Sequence, residues 1–154
     1  MGPDSLSRQT IYFRNNTFLG GLDDGVDTDG MRVVFEGNYF TDFHLGTGRT
    51  TTSNAISTGT QSVGGTRLSS DLVIRNNTFY DVDHSLLLKD FSYAKYTNNT
   101  VVKATVGGIQ FQELSGSGVI GPGLGADIDG SIFYETPLVL EALHPDSQLS
   151  LIHI

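Results

Sequence analysis

The phrase IYFRNNTF occupies residues 11–18, and close copies of it return along the chain. VVFEGNYF occupies residues 33–40, LVIRNNTF residues 72–79 and AKYTNNTV residues 94–101, and a worn copy, ADIDGSIF, occupies residues 126–133. The copies align on a polar column, whose members are separated by 22, 39, 22 and 32 residues: Asn16, Asn38, Asn77, Asn99 and Ser131. The base period is therefore 22 residues, with insertions of 17 and 10 in two copies. A fixed period of this size is typical of stacked repeats.

Each copy predicts two strands joined by a sharp corner. Apolar residues stand five and three positions before the polar column and two positions after it, as in a half-buried strand. The position just before the column holds residues that enter the left-handed backbone region at least cost: Asn15, Gly37, Asn76, Asn98 and Gly130. A third apolar position follows, at Val26, Leu87 and Ile109 and, after an insertion, at Ile56. Three short strands per repeat predict an all-β fold, a parallel β-helix of about five coils.

Stacking of the coils predicts contacts between equivalent side chains. Coils of such a solenoid lie ~4.8 Å apart, so the polar column is expected to form an asparagine ladder, each amide bonding its neighbours above and below. Two positions before that column stand Arg14, Glu36 and Arg75, which are expected to form cross-strand ion pairs. These residues are therefore explained by the scaffold.

Composition narrows the class of protein. Gly, Thr, Asn and Asp are plentiful, which favours strands and turns. The formal net charge of −8 argues against nucleic acid as a partner, and no apolar stretch is long enough for membrane insertion. We expect residues 1–10 to be a lead-in and residues 11–148 to form the β-helix. Residues 149–154 break the repeat and resemble translated sequencing-adapter DNA, so we expect a metagenomic fragment of a longer protein.

On these repeats, the chain resembles the right-handed parallel β-helix proteins of the pectate-lyase-like superfamily, which carry PbH1-type repeats and asparagine ladders. The resemblance covers about residues 11–143. It implies an extracellular or cell-surface protein that binds or acts on polysaccharide, with a substrate groove along the third strand and its preceding loops. This scaffold serves lyases, hydrolases, epimerases and adhesins, so the resemblance specifies the fold more narrowly than the reaction.

Candidate site residues lie in the segments that map to this groove. The run DDGVDTDG supplies three carboxylates that are expected to bind Ca²⁺, which prefers oxygen ligands: Asp24, Asp27 and Asp29. The alternative is that these carboxylates only keep an exposed turn soluble. Asp90 is expected in the column of Asp29, with Gly59 between them. Removing a proton from a uronate sugar needs a base and a positive charge, and the candidate catalytic residues are His44, Arg49, His84 and Lys89. The candidate substrate-binding residues are Asp23, Ser57, Asp90 and Gln110.

Three functions stay open at this point. The first is a calcium-assisted polysaccharide lyase or epimerase. The second is a structural or adhesive β-helix segment without catalysis. The third is a glycoside hydrolase that uses Asp42 and Asp81, which are expected to share an outward column followed by Lys103.

Overall fold

The computed structural model describes residues 8–47, 53–111, 121–141, 145 and 147–153. Within these ranges the chain forms strands and no helix. In chain order the strands are β1 (Thr10–Arg14), β2 (Thr17–Gly21), β3 (Val26–Asp27), β4 (Arg32–Glu36), β5 (Tyr39–Phe43), β6 (Asn54–Ser57), β7 (Thr60–Val63), β8 (Thr66–Ser69), β9 (Asp71–Arg75), β10 (Thr78–Leu88), β11 (Tyr93–Thr97), β12 (Thr100–Phe111), β13 (Gly125–Asp129), β14 (Ile132–Tyr134), β15 (Leu140–Glu141) and β16 (Gln148–His153).

Two parallel sheets wind around one core. The first sheet has six strands in the order β1-β4-β9-β11-β13-β16. The second sheet has two zones. In its first zone β2, β5, the first halves of β10 and β12, and β14 pair side by side. In its second zone β3, β6, the second halves of β10 and β12, and β15 do so. The insertion after β6 is the antiparallel β7–β8 hairpin. The predicted all-β fold with parallel strands is confirmed.

The corner before the polar column is left-handed in every copy, as predicted. The five φ angles are 54° at Asn15, 66° at Gly37, 57° at Asn76, 53° at Asn98 and 58° at Gly130. A second left-handed corner was not predicted and closes the first zone of the second sheet. Its stacked members are Gly20, Asp42, Asp81, Lys103 and Glu135. A residue with a side chain pays roughly 1–2 kcal/mol to adopt the left-handed backbone conformation. The stacking of neighbouring coils must therefore hold Lys103 and Glu135 in this conformation.

The amides of the polar column stack one on another. Asn16 Nδ2 donates to Asn38 Oδ1 at 3.2 Å, and Asn38 Nδ2 donates to Asn77 Oδ1 at 2.9 Å. Asn77 Nδ2 donates to Asn99 Oδ1 at 3.0 Å, and the backbone N–H of Asn99 donates to Ser131 Oγ at 3.1 Å. From Asn38 onwards these side chains are buried, so they supply the hydrogen bonds that buried corner groups need.

Apolar side chains of successive coils stack inside the solenoid. Phe18 and Phe40 have ring centroids 4.5 Å apart, and Phe40 and Phe79 have centroids 5.0 Å apart, both in stacked geometry. On the outer surface of the first sheet, Glu36 forms ion pairs with Arg14 and with Arg75, each at 3.0 Å. The two predicted ion pairs are therefore confirmed.

The register of the third strands corrects one predicted column. Ile56 pairs with Leu86 rather than with Leu87, and Leu86 pairs with Ile109. The cause is a register irregularity: between the pairs Val82–Ala104 and His84–Gly107, β10 has one residue fewer than β12. Counting a fixed number of residues from the polar column therefore does not locate equivalent positions in the third strands.

The last strand also differs from expectation. Residues 149–154 are expected to fall outside the repeat, but residues 149–153 belong to β16, which pairs in parallel with β13 and extends the first sheet. Leu149 packs against the core because it is the register partner of the buried Ala126. The described part of the chain contains no helix that could span a lipid bilayer.

Candidate functional site

The outward side of the second zone is here called the third-strand face. It carries five of the eleven predicted site residues: Asp27, Asp29, Ser57, Lys89 and Gln110. Val26, Ile56 and Leu86 pack into the core, so the residues that follow them point outward. Their register gives one outward column: Asp27, Ser57, Leu87, Gln110 and Glu141. Two positions further, a second outward column contains Asp29, Gly59 and Lys89, and these two columns define the third-strand face.

Gly59 lets two charged side chains of different coils approach each other. A Cβ on Gly59 would overlap the carboxylate of Asp29 and would lie 3.4 Å from Lys89 Cε. Asp29 and Lys89 belong to coils on either side of Gly59, so their side chains converge over the space that the missing side chain leaves free. The prediction that Asp90 shares the column of Asp29 is wrong, since the one-residue shift in β10 places Lys89 there instead.

Asp27 is the titrating group of this face. Its partial burial, followed by the charge and the hydrogen bond of Asp29, raises the pKa of Asp27 to about 6, although Lys89 opposes the rise. A carboxyl with such a pKa exchanges protons near neutral pH, which an ordinary aspartate does not. Asp27, predicted as a metal ligand, is therefore also a candidate acid–base group, with Asp29 as its neighbouring carboxylate.

Ser57 forms the floor between these charged groups. Its side chain is fully buried although it belongs to the outward column next to Asp27. Its Oγ has no hydrogen-bond partner among the described residues. A buried hydroxyl without a partner costs free energy, and this one is enclosed by protein atoms rather than open to the outer face.

A strained turn follows Lys89 directly. Asp90 and Phe91 both have left-handed backbone angles, with φ of 56° and 60°. Their N–H groups donate to Gly121 O and Pro122 O, both at 2.8 Å. Strain at an aromatic residue persists only where the surroundings impose it, and here it fixes the backbone next to the Lys89 side chain. Asp90 itself, a predicted substrate-binding residue, is buried.

The predicted calcium ligands do not converge. Asp24 Oδ1 accepts a hydrogen bond from Asn54 Nδ2 at 2.8 Å, while Asp27 and Asp29 bond each other. Across the described ranges, no group of three or more His, Asp or Glu side chains is arranged so that it could hold a metal ion. Ca²⁺ takes about six to eight oxygen ligands, and two neighbouring carboxylates beside the ammonium group of Lys89 supply too few. Calcium binding stays a prediction that this arrangement does not favour.

His44 belongs to a separate cluster near the start of the third strands. Its Nδ1–H donates to Asp83 Oδ1 at 2.9 Å, and its Nε2 lies 3.3 Å from Asp81 Oδ1. Burial lowers the pKa of His44, but the hydrogen bond to Asp83 and the charges of the nearby carboxylates outweigh it and raise the pKa above its usual value. His44 is therefore held in a fixed orientation between two carboxylates.

Asp83 anchors this cluster. Besides His44, its carboxylate accepts hydrogen bonds from Thr105 Oγ1 at 2.6 Å and from the backbone N–H groups of Leu45 at 2.8 Å and Ser53 at 3.5 Å. Burial raises the pKa of Asp83, but these hydrogen bonds together lower it below its usual range. The charged carboxylate thus holds together two segments of the chain that flank residues 46–52.

His84 does not reach solvent. It is fully buried, and its Nε2–H donates to Glu141 Oε2 over Gly107, where a Cβ would lie 3.3 Å from the imidazole ring and 3.5 Å from Glu141 Cβ. His84 Nδ1 has no partner within the described ranges. This pair joins coils that are two apart, as Asp29 and Lys89 do over Gly59. His84 is therefore placed to hold coils together rather than to contact a substrate.

The remaining predicted residues are placed as follows. Gln110 lies in the outward column between Leu87 and Glu141. The backbone carbonyl of Asp23 accepts a hydrogen bond from Ser53 Oγ. Arg49 lies outside the described residues.

Sequence reasoning missed Glu141 and Asp83 as site residues, and it missed the close approach of side chains over Gly107. Gly107 lies inside β12, and a glycine in a strand interior often marks such an approach. Gly59, which the sequence placed in the column of Asp29, lies between β6 and β7.

Three strands per coil, left-handed corners and stacked amides define a parallel β-helix protein, here with a carboxyl pair and a lysine on one outer face. A family model described as "Right handed beta helix region" matches residues 5–121. The chain belongs to this family. Neither the comparison with curated proteins nor that with solved structures returned a match.

Proposed function

We propose that the third-strand face binds a polysaccharide and that Asp27 transfers a proton on the bound sugar, in a lyase or epimerase reaction. The observation that carries the proposal is the carboxyl pair of Asp27 and Asp29 beside Lys89, built over Gly59. The polysaccharide itself, and an extracellular or cell-surface location, rest on the resemblance to pectate-lyase-like proteins.

The chemistry follows from the charges. Lys89 would pair with the carboxylate of a uronate and stabilise the negative charge that develops when the adjacent C–H bond breaks. Asp27 would take that proton, and its pKa of about 6 makes it a stronger base than an ordinary aspartate. In elimination, the bond to the leaving glycosidic oxygen then breaks, a C=C bond forms and the leaving oxygen takes a proton from solvent. In epimerisation a proton returns to the opposite face of the carbon.

Glycoside hydrolysis by the same pair is disfavoured. The two carboxyl groups of such enzymes stand roughly 5–5.5 Å apart when the configuration is retained and further apart when it is inverted. Asp27 and Asp29 are hydrogen-bonded to each other, so they act as one acid–base unit. No step is assigned to calcium.

The test is incubation of the purified chain with alginate and with pectate in D₂O. Elimination is followed by the absorbance of the unsaturated product, and epimerisation by deuterium in the recovered sugar. Asp27→Asn should reduce the rate by about 10²-fold or more. Gly59→Ala should also reduce it, because its Cβ pushes Asp29 and Lys89 apart.

Matched controls lie on the first sheet. Asp71→Asn removes a carboxylate that pairs with Arg32, and Lys95→Ala removes a lysine that is exposed on β11; both should leave the rate unchanged. The proposal fails if the wild-type chain neither binds nor turns over either polymer. That outcome would favour a structural or adhesive β-helix segment.

A further inference from the structure

The outer side of the first zone of the second sheet differs from the other outer surfaces. Its strands are β2, β5, the first halves of β10 and β12, and β14. Two outward columns run along it and define what is here called the tyrosine face: Thr17, Tyr39, Thr78, Thr100 and Ile132, and beside them Leu19, Thr41, Tyr80, Val102 and Tyr134. The exposed fractions are 38% for Tyr39, 36% for Tyr80 and 59% for Tyr134.

The first sheet and the third-strand face present charge instead. On the first sheet, Glu36 lies between Arg14 and Arg75. The third-strand face presents the Asp27 pair and Lys89. The tyrosine face combines exposed aromatic and aliphatic side chains with threonine hydroxyls, and an exposed apolar patch of this kind marks a binding surface.

Polar rows border the tyrosine face on both sides. The asparagine and glycine corner runs along one side, with Asn15, Asn76 and Asn98 at its left-handed positions. The second left-handed corner runs along the other side, with Asp42, Asp81, Lys103 and Glu135. A ligand on the tyrosine face would thus meet hydrogen-bonding groups along both of its edges and apolar surface beneath.

The dimensions of the face distinguish between occupants. Five strands at ~4.8 Å spacing and three residues of width give a strip of roughly 20 Å by 10 Å. The strip is narrow across the strands, and its length along the solenoid axis suits an extended chain.

We propose that the tyrosine face is a second polysaccharide-binding surface, on which a linear sugar chain lies along the solenoid axis. A tyrosine offers a flat apolar ring to the C–H face of a sugar and a hydroxyl to its polar groups. Tyr80 and Tyr134 stand in one column two coils apart, about 10 Å by the strand spacing. Lys103 Nζ lies 3.3 Å from the Tyr80 hydroxyl and 5.4 Å from its ring centroid, which holds that ring in place.

This inference takes the class of ligand from the proposed function, but it does not depend on catalysis. The probe is affinity gel electrophoresis of the chain through alginate, pectate and a neutral β-glucan. The double variant Tyr80→Ala/Tyr134→Ala should bind about tenfold more weakly than wild type to the polymer that retards it. Tyr12→Ala is the matched control, because Tyr12 is 54% exposed on the first sheet and contacts Arg14.

The variant Asp27→Asn distinguishes binding at the tyrosine face from binding at the third-strand face. Retardation that depends on the two tyrosines but not on Asp27 supports the inference, even where no turnover is found. Retardation that is lost in Asp27→Asn or Lys89→Ala and kept in the tyrosine double variant overturns it while leaving the proposed function standing. Equal effects of Tyr12→Ala and of the double variant also overturn it.

Sedimentation velocity tests the competing occupant. A dimer that dissociates in the tyrosine double variant would show that the face binds a second copy of the chain, and this result overturns the inference. Failure of all three polymers to retard the wild-type chain overturns it as well. Circular dichroism of each variant confirms that the fold is kept.

Discussion

Truncation of one ladder asparagine, Asn77→Ala, tests whether the stacked amides hold the corners. The Asn77 side chain makes five hydrogen bonds. Its Nδ2 donates to Phe35 O, Arg75 O and Asn99 Oδ1 at 3.0–3.1 Å, and its Oδ1 accepts from the backbone N–H and from the Nδ2 of Asn38, both at 2.9 Å. After truncation, Asn38 Nδ2 keeps its bond to Phe13 O at 2.9 Å. The backbone N–H of Asn38 loses the acceptor that the Asn77 side chain supplied.

The magnitude follows from these bonds. A buried group left without a partner costs about 1–3 kcal/mol, and the variant disrupts the corners of neighbouring coils together. We expect Asn77→Ala to lower the free energy of unfolding by about 3–5 kcal/mol, a large share of the ~5–15 kcal/mol of an ordinary domain. Asn16→Ala is the matched control. Asn16 is exposed and donates only to Arg14 O and Asn38 Oδ1, so its loss should cost about 1 kcal/mol, since water can replace those bonds.

Urea unfolding followed by circular dichroism measures both changes. Asn77→Ser should recover part of the loss, because a hydroxyl already serves as acceptor at Ser131 in the last copy. If Asn77→Ala and Asn16→Ala lower stability equally, or if Asn77→Ala costs less than about 1 kcal/mol, the amide column does not stabilise the corners and the reasoning is refuted.

Three further predictions concern the charged groups. The pKa of Asp27 is raised from 3.8 to about 6, so the folded chain keeps a proton that the unfolded chain releases, and the free energy of unfolding falls as pH rises through this window. Urea unfolding at several pH values should show that Asp27→Asn lacks this fall. Identical pH profiles of variant and wild type would contradict the prediction. The pKa of His44 is raised, so its contribution to stability is present at low pH and is lost as pH rises through the pKa that His44 has in the folded chain. Asp83→Asn should lower that pKa in an NMR titration. An unchanged titration would show that Asp83 is not the cause. Glu141→Gln weakens the bond to the buried His84 and should cost about 1–3 kcal/mol in urea unfolding, whereas a change within error would mean that the pair does not hold the coils together.

The 22-residue period by itself determined the scaffold. It located the left-handed corners, the polar column and the ion pairs of Glu36, because each of these depends on one position of a repeat that stacks directly on its neighbour. Such features need no knowledge of loop paths. The left-handed backbone of the second corner escaped prediction because its residue types vary from coil to coil: Gly20, Asp42, Asp81, Lys103 and Glu135.

Only the tertiary structure decided the third-strand face. Because β10 has one residue fewer than β12 between Val82 and His84, Lys89 rather than Asp90 lies opposite Gly59. No local pattern shows where a coil gains or loses such a residue. The pairs across Gly59 and Gly107 join coils that are two apart, and a contact of this kind exists only when the coil between them lacks a side chain. Periodicity reports what is repeated, while this site depends on the positions where the copies differ and on long side chains that meet across them.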